Sequence, residues 1–400
     1  MSVALLHAEA DINNSDLRIP KGTNKMRVLM TGGGTGGHVN PAIAIADTIK
    51  AHIPSAEIAF VGTKRGIENK LVPAAGYKLY HVDVRGFRRS LSLANIRAAY
   101  LALTSPIAAK KLVREFKPDV VIGTGGYVSW PLLVAASKLG VPSAVHESNA
   151  VPGLAVRKLV PYVDKIFVNF AVTGEALGAP EKTMHVGSPL RADFGVVSKE
   201  DAQKKLGLPG ECRRYIVSFG GSLGAERVNA AMLELMRDWL AVHPDVYCTH
   251  ACGAGGYAET RAAFDAAGLG KYRNIELVEY IYDMPLRMAA ADLVISRSGA
   301  ITLSELALAK KAALLIPSPN VTDNQQYKNA KVLADADGAV LVEEKDLAPG
   351  RICREVEAIL GSPRRQHELE TNISAFAVPD ANEIIFREIM ALAGNGEPEK

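Results

Sequence analysis

The residues best equipped for chemistry cluster around glycines. In GGGTGGH, residues Gly32, Gly34 and Gly37 satisfy a GxGxxG spacing. Glycines at such a turn let the backbone approach a phosphate, and the N–H groups of a following helix face it. His38 comes directly after, at a helix start, where a neutral imidazole would serve as a general base. Capping the helix or contacting a ligand phosphate are equally open roles. GTGGYVSWP, residues 123–131, is a second glycine turn, and HESN places His146, Glu147 and Asn149 at the end of another strand. A buried, mutually satisfied His146–Glu147 pair is the plainer reading of those two residues. GGSLGA, residues 220–225, repeats the phosphate-turn logic and adds the Ser222 hydroxyl. In SRSGAITLSELA, Thr302, Ser304 and Glu305 fall in the first turns of a helix. A carboxylate there accepts both hydroxyls of a ribose while the helix N-terminus receives a diphosphate; a well-capped helix with a first-turn acid is the alternative. TDNQQYKN offers the adjacent amides of Gln325 and Gln326 to sugar hydroxyls.

Other chemistries fit less well. A dinucleotide site wants an acid at the end of the second strand for the adenosine ribose, but Gly62-Thr63-Lys64-Arg65 stands there, which disfavours NAD and leaves NADP on Arg65 as a minor alternative. Glycines serving only a tight strand-to-helix turn are the other alternative for the first loop. Cys248, His250 and Cys252 run along a strand, but no further Cys/His cluster stands beside them in the sequence to complete a tetrahedron. Asp335-Ala336-Asp337 has the look of metal-binding acids but precedes Gly338 at a helix end. No metal site is expected.

These clusters need elements to hold them. Short runs rich in Val and Ile at 27–30, 58–61, 119–122, 143–145 and 165–168 alternate with amphipathic stretches, the pattern of a parallel sheet flanked by helices. RRYIVSFGGSLGAERVNAAMLELM then repeats the grammar of MRVLMTGGGTGGHVNPAIAIADTI, with further strands at 215–218, 246–249, 275–278, 293–295, 313–316 and 339–342. The fold class expected is α/β with two doubly wound domains. Three strand ends of the first domain bring glycine-rich or polar loops to one edge, where open α/β sheets bind ligands. Residues 1–25 read as a mobile extension, 26–190 and 191–378 as the two domains, and 379–394 as a helix packing back on the first. That helix would be capped at Asp380, with Glu383 completing a capping box.

The chain has 400 residues, a hydrophobic share of 48% and a charged share of 22%, which excludes disordered and collagen-like chains. Four cysteines are too few for a disulfide framework and point to a reducing compartment. Neither a secretory start nor an apolar run of ~20 residues is present in the sequence. The net charge of +3 conceals an asymmetry: residues 85–117 hold eight basic side chains against one acid, Glu115. Phe87, Leu91, Leu93, Ile96 and Tyr100 interleave there with Arg85, Arg88, Arg89, Lys110, Lys111 and Arg114. That composition suits a surface dipping into lipid while its cations meet anionic headgroups; a core helix with a solvated basic face is the alternative. Nucleic acid is not expected, since aromatics are few and no nucleic-acid motif accompanies the charge.

Taken together, GGGTGGHVNPA, GTGGYVSWP, HESNAVPGLAVR, VGSPLR, SFGGSLGA, YIYDM, SRSGAITLSEL and TDNQQYKNA resemble the MurG family of peptidoglycan glycosyltransferases, in order, over roughly residues 26–392. The resemblance implies GT-B architecture, two facing Rossmann-like domains with a cleft between them, and transfer of N-acetylglucosamine from UDP-N-acetylglucosamine to undecaprenyl-linked lipid I. It implies no cofactor, a peripheral position on the cytoplasmic face of the cell membrane, and cell-wall or division-complex proteins as further partners. Carried over position by position, donor contacts are Thr35, Gly36, Gly37, Asn149, Arg191 and Ser222. Ile281 meets the uracil, Ala300, Ile301, Thr302, Leu303, Ser304 and Glu305 hold diphosphate and ribose, and Gln325 and Gln326 lie at the sugar. His38 is the candidate base, with Glu147 the alternative. HESNA replaces the commoner HEQNG, and SLGA the commoner SQGA. A UDP-N-acetylglucosamine epimerase of related fold, or a non-catalytic sugar-nucleotide sensor, would keep the nucleotide site without needing the lipid-facing segment.

Overall fold

The computed structural model describes residues 25–84, 93–191 and 193–394, with the side chains of 93–103 left aside. The extension expected at 1–25 and the lipid-facing candidates Arg85, Phe87, Arg88, Arg89 and Leu91 therefore lie essentially outside the described residues, as do the side chains of Leu93, Ile96 and Tyr100.

Two parallel sheets form. The first contains β1 (Arg27–Thr31), β2 (Glu57–Gly62), β3 (Lys78–His81), β4 (Val120–Gly123), β5 (Ser143–Glu147), β6 (Lys165–Val168) and β7 (Thr183–His185), in the order β3-β2-β1-β4-β5-β6-β7. The second contains β8 (Arg214–Phe219), β9 (Val246–Ala251), β10 (Ile275–Val278), β11 (Leu293–Ser296), β12 (Ala312–Leu315) and β13 (Val340–Leu341), in the order β10-β9-β8-β11-β12-β13. Both orders are doubly wound, and both reverse direction beside their first strand. In such sheets the crevice beyond the strand ends at the reversal is where ligands bind. In the first sheet it opens between β1 and β4, and in the second between β8 and β11.

The central strands form where the chain can bury both faces. All four residues of β4, β11 and β12, and all five of β5, are buried. Strands β3 and β7 went unread in the sequence. They are edge strands, partly exposed and of mixed polarity, so they lack the continuous apolar run that marks an interior strand.

The last helix, Ala381–Leu392, packs on the helix Gly36–His52 of the first unit. Ile385, Phe386, Ile389 and Met390 share a core with Ile45 and Ile49, each large side chain contributing about 1.5–3 kcal/mol on full burial. Phe386 stacks on His52 with ring centroids 4.2 Å apart. The capping box does not form: Asp380 makes no side-chain cap, and Glu383 instead meets His52 Nε2 at 3.0 Å. The two crossings between the sheets also touch. Gly187, at φ 75°, has its α-carbon against Val378, and Asn382 exchanges hydrogen bonds of 3.1 and 2.8 Å with the Leu190 backbone.

Candidate active site

The loop after β1 runs Gly32 to Thr35 and enters the helix Gly36–His52 with no side-chain cap. Thr35 and Gly37 are exposed and Gly36 partly so, while the His38 N–H is taken by the Thr35 carbonyl at 3.1 Å. His38 Nδ1 lies 3.1 Å from the Gly33 carbonyl and 3.3 Å from Thr35 Oγ1. A carbonyl oxygen only accepts, so Nδ1 carries the proton and Nε2 is the basic nitrogen. The glycine turn after β4 closes against this arrangement. Thr124 Oγ1 donates to the His38 carbonyl at 2.6 Å. Gly126, at φ 78°, leaves no room for a β-carbon because the Gly33 carbonyl occupies that space, and one on Gly125 would approach His38 Cδ2 to 2.9 Å.

Glu68, which the sequence reading passed over, lies beneath the same loop. It is fully buried. Its Oε2 accepts from the Gly34 N–H at 3.1 Å, and its Oε1 from the Thr63 N–H and hydroxyl at 2.9 and 2.8 Å. Burial disfavours the charged form, but the hydrogen bonds from Thr63 and Gly34 outweigh it and hold the carboxyl below its ordinary range. A β-carbon on Gly33 would come within 2.9 Å of this carboxylate, and one on Gly66 would run into it.

His146 is fully buried and bonded through Nε2 to the Gly187 carbonyl at 2.9 Å; burial lowers its pKa to about 4, so it is neutral at physiological pH. Its Nδ1 lies 3.3 Å from Ser148 Oγ, so both ring nitrogens are engaged away from Glu147 and the expected His146–Glu147 pair is not what the fold builds. Glu147 Oε1 accepts from the backbone and side-chain nitrogens of Asn149, and Oε2 from the Gly153 N–H at 2.8 Å. The carboxylate thus clasps the HESNAVPG loop.

That loop meets the second unit. Asn329 donates to Asn149 Oδ1 at 3.1 Å and accepts from the Ala150 N–H at 2.9 Å. Ser304 Oγ donates to Asn169 Oδ1 at 3.1 Å. Neither Asn329 nor Asn169 was singled out in the sequence. Nothing local marks them, because their partners lie far away along the chain.

Beyond β11, Gly299 precedes the helix Ala300–Ala309, whose first amides face the reversal point. Ile301, Thr302, Ser304 and Glu305 are partly buried, and Ala300 and Leu303 buried. Burial raises the Glu305 carboxyl to about 8, with the Arg191 guanidinium drawing it down and Asp193 pushing it up. Glu305 and Arg191 are thereby electrostatic neighbours. Ser298 Oγ donates to the Gln326 carbonyl at 2.9 Å, and Gln326 Oε1 accepts from the Ser318 N–H, tying the last two loops together. Gln325 Nε2 reaches toward Gly153 of the first unit. Ser222 is exposed in the turn after β8, where Gly221 takes φ 95°, and Ile281 is buried beside the exposed Tyr280 and Tyr282. A cavity of about 440 Å³ opens beside the last of these loops, between Arg227, Asn324, Tyr327, Glu343 and Lys345.

Among the described residues, no three His, Cys, Asp or Glu side chains converge as a metal site. His250 is committed to Ser218 and Asn229, Asp335 to Lys331, and Asp337 to Arg365. Lys111 and Arg114 are exposed and Lys110 partly so on the helix Leu93–Phe116, around an Ile107 that is 70% exposed.

Two doubly wound units joined across their strand ends by paired amides, each with a phosphate-type turn at its reversal point, make the GT-B fold. The model of the glycosyltransferase family 28 N-terminal domain matches residues 28–168 and that of the C-terminal domain residues 215–385. The UDP-N-acetylglucosamine–N-acetylmuramyl-(pentapeptide) pyrophosphoryl-undecaprenol N-acetylglucosamine transferase of Acetivibrio thermocellus is 38% identical over 370 residues, 92% of this chain and 99% of that protein. The protein of the same name from Thermoanaerobacter sp. strain X514 is 37% identical over 92% of this chain and all of its own length. Acinetobacter baumannii MurG superposes with a TM-score of 0.72 at 26% identity, covering 92% of this chain and 99% of that one. The chain belongs to the MurG family. A UDP-N-acetylglucosamine 2-epimerase described as putative, from Listeria monocytogenes, has a TM-score of 0.66 at 15% identity, a likeness of fold alone.

Proposed function

We propose that this chain transfers N-acetylglucosamine from UDP-N-acetylglucosamine to lipid I, undecaprenyl-pyrophosphoryl-N-acetylmuramyl-pentapeptide, giving lipid II. The 4-hydroxyl of the N-acetylmuramic acid attacks the anomeric carbon of the donor, and UDP leaves with inversion. His38 Nε2 takes the proton that the hydroxyl must lose, the Nδ1–H bond to Gly33 holding the ring in that tautomer. Charge on the departing diphosphate is received by the free amides at the start of helix Ala300–Ala309 and by the turn around Ser222. Arg191 and Glu305 hold the ribose end, Ile281 the uracil, and Gln325 and Gln326 the sugar. Thr35, Gly36, Gly37 and Asn149 complete the donor site from the first unit.

The observation that carries this reading is the direct bonding of the two units at the strand ends, Ser304 to Asn169 and Asn329 to Asn149. It supports a single site shared by the loop bearing His38 and the helix bearing Glu305, as transfer between two bound substrates requires. The exposed Ile107 among Lys110, Lys111 and Arg114 supports peripheral binding to an anionic membrane surface, where the lipid-linked acceptor resides. No helix among the described residues is long and apolar enough to cross a membrane. Incubation with labelled UDP-N-acetylglucosamine tests the reading: label entering lipid II only when lipid I is present supports it, whereas epimerised sugar nucleotide formed without lipid I overturns it.

A further inference from the structure

Glu68 and His38 do not touch, yet they bind opposite ends of one peptide group. The Gly34 N–H donates to Glu68 Oε2 at 3.1 Å, and the Gly33 carbonyl of that same peptide unit accepts from His38 Nδ1 at 3.1 Å. Resonance couples the two ends, since electron density pushed toward the carbonyl oxygen by a carboxylate on the N–H makes the oxygen a better acceptor. We propose that Glu68 is a positioning residue for His38, acting through the Gly33–Gly34 peptide: it orients the loop, fixes the Nδ1–H tautomer and leaves Nε2 as the proton acceptor. The arrangement does the work of a carboxylate bonded directly to a histidine, with a peptide group interposed.

The surroundings fit that role. A fully buried carboxylate is costly to place, and this one spends its described bonds on holding loops, one of them the loop that bears His38. Thr63 fixes the other oxygen, so Oε2 is presented to Gly34 in one orientation. Gly33 and Gly66 have their α-carbons against the carboxylate, and Gly126 has its own against the Gly33 carbonyl. A side chain at any of the three would displace a partner in the chain of bonds.

The proposal rests on the reading of His38 as base, and its test separates the two. In Glu68→Gln the amide can offer an oxygen either to Thr63 or to Gly34, never to both, so either the Gly34 N–H or both Thr63 donors lose their acceptor. Turnover is expected to fall about 10-fold or more, with the KM for UDP-N-acetylglucosamine changed far less. In a His38→Ala background the same substitution is expected to have almost no further effect. Ring ¹⁵N shifts of His38, read without substrate, are expected to show Nδ1–H as the dominant neutral tautomer in the wild type and a mixture in Glu68→Gln. Equal loss of turnover in both backgrounds together with an unchanged tautomer would overturn the proposal. Near-normal turnover of His38→Ala alone would instead overturn the base reading, and the ¹⁵N measurement would still decide whether Glu68 governs the ring. Should Glu68→Gln not fold, Glu68→Asp, which withdraws the carboxylate from Gly34 while keeping its charge, is measured in its place with the same expectations.

Discussion

Ser304, on the helix after β11, donates a 3.1 Å hydrogen bond to Asn169, at the end of β6. The two residues belong to different units, and the bond joins the helix that carries Glu305 to the loop system of the first unit. Asn169 also donates to the Ser148 carbonyl at 3.0 Å and is 5% exposed.

Asn169→Ala should therefore be felt in both stability and donor binding. Two side-chain bonds are lost, one of them buried, and leaving the Ser148 carbonyl without its partner costs about 1–3 kcal/mol. The expected result is a lower Tm and a several-fold higher KM for UDP-N-acetylglucosamine, read by calorimetry and steady-state kinetics. An unchanged KM would show that the contact has no part in donor binding.

Glu305 supplies the pH dependence. Its carboxyl is raised from the ordinary 4.5 to about 8 by burial, so near neutral pH it holds a proton in the free protein. Ribose hydroxyls donate to the ionised form, so UDP binding at pH 7 should release a proton, and affinity should rise as pH climbs through about 8. Calorimetry in buffers of different ionisation enthalpy reads that proton directly. Glu305→Gln should abolish the release, and Glu305→Ala should weaken UDP binding by ~10–100-fold.

The basic face of helix Leu93–Phe116 should bind anionic vesicles. Lys110→Glu, Lys111→Glu and Arg114→Glu together reverse charges worth about 1 kcal/mol each near a membrane surface. Sedimentation with vesicles should weaken, most visibly at low salt, while UDP affinity stays as it was. A variant that pellets like the wild type would leave this face a solvated one.

Transfer should survive EDTA if the uncapped amides at the start of helix Ala300–Ala309 receive the diphosphate as proposed. Activity lost on chelation and restored by magnesium would contradict this.

The doubly wound fold was legible because its interior strands are buried on both faces and read as unbroken apolar runs between glycine turns. Strands β3 and β7 had no such run. Glu383 looked like a capping residue because the local pattern was right, but its partner is His52, 331 positions away. Asn329 and Asn169 meet residues 180 and 135 positions distant, and no local spacing announces them. Glu68 escaped for a subtler reason. An acid was sought at the end of β2, where a dinucleotide fold would place it, and this one lies six residues further on, turned inward to the glycine loop.

His38 is proposed to serve the chemical step rather than donor binding. The measurement is single-turnover transfer to a soluble lipid I analogue by His38→Ala, paired with titration of UDP-N-acetylglucosamine. Turnover is expected to fall ~10²–10⁴-fold, the range for losing a general base, with donor affinity changed far less. Near-normal turnover, or a loss confined to donor affinity, would contradict the account.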